Sequence, residues 1–586
     1  MALQQTAPQG TAVPQGTGQA ILALQSGLAA KAVLRKWWRF DNLYPLLWRR
    51  EWLDAALKKI LSNDGSQTPG VDGIHKGRLC DPSARAQLVE SIQKELRQKY
   101  TASPVLRKYV PKKSGGSRPI GIPTLKDRVV QMALKMVLEP IFEADFLPNS
   151  NGFRPKRSTA ECVLPAYVLG NKKVDYGWVI EGDIKGCFDN IDHKILMKTV
   201  RKRITDKRIL RLVWAFLKAP VVEDGVQRRR NKGTPQGGVL SPLLANIYLN
   251  LFDQYCLEHF EGRNNYEHLK KRIRDGANGI LFRYADDFVF YAKGTEAGVV
   301  SIMNGAKDFL ANQLRLELSP EKTRVVPLES GFNFLGFQIK RCAWTGHYSS
   351  GVRIRPTVRN VKRLRVKLHN MLGVGTDADD TAMKTKALNR VLSGWAHYYA
   401  KVNAKQQFHA LDWFAERRFN SWYARRIGKG IRASLVVLKR KRANRVEGMS
   451  ELFRMSSLEI PQISKKYVLC LKYKWIKNPY LTGAYETCMD DEEQPFVDPQ
   501  EVHPANRNTY DEVYQINRLL AFDRDGWKCR KCPNRIGLIA HHVVPVPKGK
   551  FDPRFVHRVE NLMTLCARCH RREHSKWVFH RKHFAK

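Results

Sequence analysis

The stretch RYADDFVFYA, residues 283–292, sets two adjacent acids, Asp286 and Asp287, inside a run that otherwise reads as a buried strand. Leu281, Phe282, Phe288, Val289, Phe290 and Tyr291 flank them. Stripping water from a carboxylate is costly unless a cation or a hydrogen-bond network compensates. Two other acid pairs, Asp379-Asp380 and Asp490-Asp491, lie in polar, turn-like surroundings and read as solvated. A further acid, Asp183, follows the apolar run GWVIEGD (177–183) and precedes Ile184 and Phe188. A strand ending at Asp183, beside a hairpin whose tip carries Asp286-Asp287, would converge three carboxylates that repel one another without divalent cations. Hard oxygen ligands suit Mg2+, and two such ions about 3.5–4 Å apart can activate an attacking 3′-oxygen and stabilise a leaving pyrophosphate. On the acid pair alone, the plainer reading is a set of surface turn acids that never meet.

Outward from this site, the whole chain is strongly basic. Its 586 residues carry 101 Lys plus Arg against 55 Asp plus Glu, a formal charge of +46. That exceeds what solubility needs and points to a polyanionic partner, nucleic acid first. No apolar run reaches the roughly 18 residues that would argue for a membrane span, so no membrane partner is expected. Residues 1–30, rich in Gln, Thr, Ala, Gly and Pro, read as a disordered leader rather than a secretory signal, which predicts an intracellular protein. Of eleven cysteines, seven are scattered singly and four form two pairs, Cys529/Cys532 and Cys566/Cys569. That distribution fits a metal site better than a disulfide framework.

Residues 31–61 mix Trp37, Trp38, Trp48 and Trp52 with basic residues and read as basic amphipathic helix, with core packing and nucleic-acid contact equally favoured. From about Pro69 to Lys340, short apolar runs alternate with helical patterns, as in an α+β domain. Residues 357–445 become helical and basic. Leu388, Val391, Leu392, Trp395 and Tyr398 share one helical spacing, and Phe408, Leu411, Ala415, Phe419 and Trp422 another. These read as core faces, leaving Arg390, Lys401, Arg417, Arg418, Arg425 and Arg426 for binding. The acidic stretch ETCMDDEEQPFVDPQEVHP (486–504) reads as a linker, and a Cys/His-rich module follows from about 508.

The blocks RKYVPKKSGGSRPIGIPTLKDRVVQ, NSNGFRPKRS, GDIKGCFDNI, KGTPQGGVLSPLLANIYLN, RYADDF, LELSPEKTR and FNFLGF occur in that order between about residues 68 and 340. The series resembles the fingers and palm of reverse transcriptases encoded within bacterial and organellar group II introns. The resemblance implies that Asp183, Asp286 and Asp287 form a two-ion Mg2+ site, with the Ile184 carbonyl as a further ligand. It also implies that Arg118 contacts the triphosphate of an incoming deoxynucleotide and that Gln236 lies against the nucleotide, where Gly237 and Gly238 let the backbone approach closely. Lys322 would assist pyrophosphate departure. Phe188 matches the bulky position that excludes a 2′-hydroxyl, although core packing is the plainer reading of that side chain. LNRVLSGWAHYY (388–399) and the basic helices after it resemble the maturase region that serves as thumb. LKRKRANR (438–445) and KYKWIKNPY (472–480) sit where the family has a DNA-binding region.

At the C-terminus, WKCRKC (527–532), AHHVVP (540–545) and ENLMTLCARCHRREH (560–574) combine two Cys-x-x-Cys pairs with histidines. Four thiolates at this spacing can hold structural Zn2+, and on the cysteines alone a zinc ribbon used only for binding has even odds. His541, His542, Asn561, His570 and His574 resemble the HNH nuclease signature, in which a ββα element holds one divalent metal. By that resemblance His542 is the general base, Asn561 orients it, His541 and His570 are metal ligands, and His574 is a further ligand.

The expected fold is multidomain α+β. It comprises a leader (1–30), fingers and palm (31–340), a helical thumb (341–430), a DNA-binding region with an acidic linker (431–507) and an HNH module (508–586). The family implies a protein that binds its intron RNA, assists splicing, nicks double-stranded target DNA and copies the intron from the nick. The expected location is bacterial cytoplasm or nucleoid, with an organellar matrix as the alternative. Two other readings are a silent splicing cofactor, which should have lost its acids, and a standalone reverse transcriptase, which would not need the long extension.

Overall fold

The uninterrupted apolar character of residues 288–292 has a simple origin: the sheet that contains them is buried on both faces. The computed structural model describes residues 16–111, 116–171, 175–261, 276–342, 351–377, 379–443, 451–458 and 479–480. In the C-terminal part it describes 521, 525, 529–532, 538–542, 562–566, 569, 570 and 572. Strands β1 (Val105–Pro111), β2 (Ser117–Ile122), β4 (Val221–Glu223) and β5 (Val226–Arg228) form one sheet in the order β2-β1-β4-β5. A second, antiparallel sheet runs β6-β7-β3-β8, from β3 (Trp178–Asp183), β6 (Ala277–Tyr284), β7 (Asp287–Gly294) and β8 (Arg324–Pro327).

Successive side chains of a strand point to opposite faces, so a strand between two cores must be apolar throughout. On β7, Phe288, Phe290 and Ala292 enter one core with the helices Leu125–Glu143, Ser241–Cys256 and Glu296–Leu314. Val289 and Tyr291 enter a second core on the other face. That second core includes a small sheet of β9 (Phe332–Phe334), β10 (Phe337–Arg341) and β11 (Val352–Pro356), and helices Val358–Met371, Thr381–Tyr399 and Lys405–Arg426. Side-chain caps start the helices that frame the sheet: Thr124, Asp192 and Thr295 each accept from backbone N–H groups of the first turn.

Several expectations change against this architecture. The leader expected to be disordered is a helix from Gly16 to Leu34, whose Ala29 and Ala32 are buried and whose Gln25 donates to the Met136 carbonyl at 2.8 Å; residues 1–15 lie outside the described set. Small residues let that helix lie close to its neighbour, a packing signal that composition alone does not carry. The helix expected across 31–61 is broken, ending at Leu34 and resuming at Arg50–Leu61, where Trp52 is buried and donates to the Ala133 carbonyl. Asp379 and Asp380 are not merely solvated: Asp380 caps the helix Thr381–Tyr399, and Asp379 pairs with Lys384. On that helix the buried stripe is Leu388, Leu392, Ala396 and Tyr399, while Tyr398 is 43% exposed. Phe408, Leu411, Ala415, Phe419 and Trp422 are all buried as their spacing predicts. Asp490 and Asp491, the acidic stretch 486–504 and most of 472–480 lie outside the described residues. No helix among the described residues is long and apolar enough to cross a membrane.

Candidate active sites

The register of the second sheet assembles the acids. Asp183, last residue of β3, pairs directly with Asp287, first residue of β7, and Tyr284 pairs with Asp287 across the hairpin. Ala285 and Asp286 are therefore the two-residue turn, with Ala285 at φ 59° in the left-handed region that tight hairpins demand. Gly182, one residue before the first acid, is required by packing: a Cβ there would overlap the ring of Phe288.

The electrostatics match the cost that the sequence implies. Asp286 is raised above the ordinary carboxylate range by burial and by Asp183, against the opposing charges of Arg118 and Lys322. Burial pushes Asp287 up to about 7, with the charges of Asp286 and Asp183 adding to the shift. Lys322 Nζ lies 2.8 Å from Asp183 Oδ2, and that hydrogen bond raises the ammonium above its usual range. Three converging carboxylates with one ammonium among them make an oxygen donor set suited to a hard divalent cation such as Mg2+. Ile184 is buried, and its N–H donates to the Asp286 carbonyl at 3.4 Å.

The expected nucleotide contacts gather from three elements. Arg118 stands exposed on β2, paired with Val110. Gln236 Nε2 donates to Asp189 Oδ2 at 3.0 Å, and the Gln236 carbonyl accepts from the Gly121 N–H at 2.6 Å. Gly237, at φ 113°, has no room for a Cβ because the Gly121 carbonyl would lie 2.6 Å away. The close approach it permits in this structure is to the Gly121 carbonyl of β2. Phe188 is half-buried and meets Phe153 edge-on at 6.1 Å, while its carbonyl accepts from Thr234 N at 2.7 Å. The side chain thus packs at the edge of the first core, in line with the plainer reading of this residue.

Sequence reasoning missed Arg283, a wholly buried guanidinium that forms a two-point ion pair with Asp253. The available signal was a cation inside an apolar strand, which demands a buried anion. Two of the arginines assigned to binding also have structural partners: Arg425 donates to the Leu372 carbonyl and pairs with Asp377, and Arg426 donates to the Asp377 carbonyl.

In the C-terminal part, β12 (Leu538–His542) pairs antiparallel with β13 (Leu562–Cys566), with His541 opposite Met563. The sulfurs of Cys529, Cys532, Cys566 and Cys569 all lie within 4.8 Å of one another, a donor set for one tetrahedral ion such as Zn2+. His541 is buried, and its ring stands edge-on to that of His570 at 5.3 Å. His542 ends β12 and only its backbone is described; Asn561 and His574 lie outside the described residues.

Three regions match known families in the same order. Residues 110–339 match the reverse transcriptase (RNA-dependent DNA polymerase) family, 361–436 the group II intron maturase-specific domain, and 529–576 the HNH endonuclease family. Among curated proteins, YkfC of Escherichia coli is 38% identical over 343 residues, covering 55% of this chain and 88% of YkfC. The group II intron-encoded protein LtrA of Lactococcus lactis is 33% identical over 51% of this chain and 57% of LtrA. The putative COX1/OXI3 intron 2 protein of Saccharomyces cerevisiae is 27% identical over 56% of this chain and 42% of that protein. The chain thus spans little more than half of LtrA and less than half of the yeast protein. With acids, maturase region and Cys/His hairpin in the order these matches require, the chain belongs to the group II intron-encoded proteins, as a reverse transcriptase and maturase with a C-terminal HNH endonuclease region.

Proposed function

We propose that the protein binds a group II intron RNA, assists its splicing, nicks duplex target DNA and copies the intron RNA from the resulting 3′-hydroxyl. The observation that carries this reading is the pairing of Asp183 with Asp287 beside the Asp286 turn, which supplies a polymerase-type acid cluster. On this reading β3, β6, β7 and β8 are the palm, β1, β2, β4 and β5 belong to the fingers, and the helices from Val358 onward act as thumb. Mg2+ bound by Asp183, Asp286, Asp287 and the Ile184 carbonyl would supply charge neutralisation and an activated 3′-oxygen for phosphoryl transfer.

The chain's own residues prepare that step. Arg118 presents a planar fork to the triphosphate, a geometry that favours phosphate oxygens. Gln236, fixed at both its amide and its carbonyl, and Phe188, braced by Phe153, border the sugar of a deoxynucleotide. Lys322 pairs with Asp183, and its ammonium is placed to give charge or a proton to departing pyrophosphate. The basic helices hold an RNA–DNA hybrid through phosphates.

In the HNH region, the near contact of the His541 and His570 rings supports their assignment as ligands of one divalent ion, with His574 a third. His542 takes a proton from water, oriented by Asn561, and the four cysteines hold structural Zn2+. The location follows the DNA target: nucleoid or cytoplasm in a bacterium, or an organellar matrix. The test is Mg2+-dependent deoxynucleotide incorporation on an RNA template with an annealed DNA primer. Wild type should extend the primer and Asp286→Ala should not. Folded wild type that binds RNA without extending would support the splicing-cofactor reading instead.

A further inference from the structure

The turn that carries Asp286 is attached to more than its own hairpin. Arg283, two residues upstream, is fully buried and uses its guanidinium in three directions. Nε and Nη2 donate to Asp253 Oδ1 and Oδ2 at 2.7 and 2.5 Å; Nη1 donates to Asn246 Oδ1 at 3.2 Å and to the Ala285 carbonyl at 2.9 Å; Nη2 also reaches Ser150 Oγ at 2.6 Å. Asn246 and Asp253 lie seven residues apart on the helix Ser241–Cys256, hence on one face. That helix is entered directly from the loop containing Gln236. Asn246 Nδ2 donates in turn to the Gly152 carbonyl at 2.8 Å, and a Cβ on Gly152 would overlap the Ala285 backbone. The 149–151 backbone completes the clasp: Arg283 N donates to Asn149 O and Asn151 N to Arg283 O.

We propose that Arg283, seated on Asp253 and Asn246, is a positioning residue that fixes the Ala285–Asp286 turn relative to the Gln236 loop, so that acids and nucleotide loop move as one body. A buried ion pair is a poor device for stability, since an apolar replacement of the same volume often serves as well. What the guanidinium adds is direction. It holds the carbonyl of Ala285, a residue with a Cβ in the left-handed region, where the backbone would otherwise relax. A shift of about 1 Å in such a turn can cost roughly a hundredfold in rate. The proposal rests on the reading of Asp183, Asp286 and Asp287 as the catalytic acids.

The test uses the full chain and four readouts: thermal unfolding, amide hydrogen exchange of the 281–288 segment, incorporation rate, and the Mg2+ concentration for half-maximal primer extension. Arg283→Lys keeps a charge for Asp253 but cannot span Asp253, Ala285 and Ser150 together. Expected in the folded variant is exchange of the turn amides faster by about tenfold, half-saturating Mg2+ raised about tenfold, and kcat reduced more than the KM for deoxynucleotide changes. Wild-type exchange and metal dependence in folded Arg283→Lys would overturn the proposal. Should that variant fail to fold, Ser150→Ala removes one arm and spares the ion pair. It should move exchange and metal dependence in the same direction by about two- to fivefold, and wild-type values there would overturn the proposal equally. Asp286→Ala serves as the reference. Primer extension by that variant would break the reading of the acids, while the exchange data judge the role of Arg283 separately.

Discussion

The acid-bearing sheet and the C-terminal Cys/His hairpin both bring charged or metal-binding side chains together on paired strands, but they are held by different means. Around β3, β6 and β7 two hydrophobic cores press on opposite faces, and Phe288, Val289, Phe290 and Tyr291 are all buried. The hairpin of β12 and β13 has among its described residues a core of Cys529, Leu565 and Cys566, backed by Cys532, Met563 and Cys569. Four of those six are the thiols themselves. The first site is built by apolar packing and would keep its shape without ions. In the second, thiols make up most of the described cluster, so on the proposed reading that they hold Zn2+, metal binding there would be coupled to folding.

The largest expected effect separates the two regions cleanly. Asp286→Ala should reduce primer extension by at least about 10³-fold while leaving nicking of supercoiled plasmid intact. His542→Ala should abolish nicking and leave extension of a supplied primer unchanged. Loss of both activities in either variant would show that the regions are not independent.

Chelation addresses the contrast in folding. Removing Zn2+, or substituting Cys566→Ser, should cost nicking about a hundredfold and expose the 538–566 amides to exchange. Synthesis and the main unfolding transition should stay where they are. A fall in the main transition would mean that the thiol core also supports the sheet.

The same contrast explains what was legible in the sequence. Asp183 and the Asp286-Asp287 pair stood out because charged groups within apolar runs are rare, and the chain order of the blocks made their convergence readable. The Cys-x-x-Cys spacing was equally plain, since tetrahedral ligation restricts it. Arg283 and Asp253 were missed because their pairing spans 30 residues and depends on how one helix lies on one strand. The helix from Gly16 was missed because its partner, the helix Leu125–Glu143, is over 100 residues away and small side chains leave a weak periodic signal. Arg425 and Arg426 looked like binding residues for the same reason: the 372–377 carbonyls that engage them are visible only once the loop is folded.

An intermediate effect concerns selectivity. Phe188→Ala should relax discrimination against ribonucleotides by roughly ten- to a hundredfold, measured as the ratio of kcat/KM for deoxy- and ribonucleotide on one template. Because Phe188 also packs on Phe153, a small loss of stability should accompany it. Unchanged discrimination in folded protein would leave packing as the residue's whole role.

A smaller effect follows from the acids' own electrostatics. Asp287 is raised from 3.8 to about 7 in the folded state, with Asp286 raised in the same direction. Groups raised on folding stabilise the protein fully below their unfolded value, and that contribution is lost as pH rises through the folded value. In metal-free protein the melting temperature should therefore drop by a few degrees between about pH 4 and 7, relative to an Asp286→Asn, Asp287→Asn double variant. Mg2+ added at pH 7.5 should restore it in wild type alone. A metal-free profile parallel to the double variant's would mean that the acids are better solvated than their burial implies.

The smallest effect tests whether the basic helices divide as their contacts indicate. Arg417 lies over the ring of Trp413 at 5.2 Å, and Trp413 is 63% exposed, so both residues stand on the solvent side of the helix. Arg425 instead points back into its own fold, on the Leu372 carbonyl at 2.9 Å and on Asp377. If the helices grip an RNA–DNA hybrid through phosphates, each cation in contact releases about one counterion, and its removal should lower the slope of log K against log salt by about one. Arg417→Ala should show that loss with an unchanged melting temperature. Arg425→Ala should keep the wild-type slope and melt earlier, because it loosens the 372–377 loop. Identical slopes for both variants and wild type would move the nucleic-acid contact to another face of the helices.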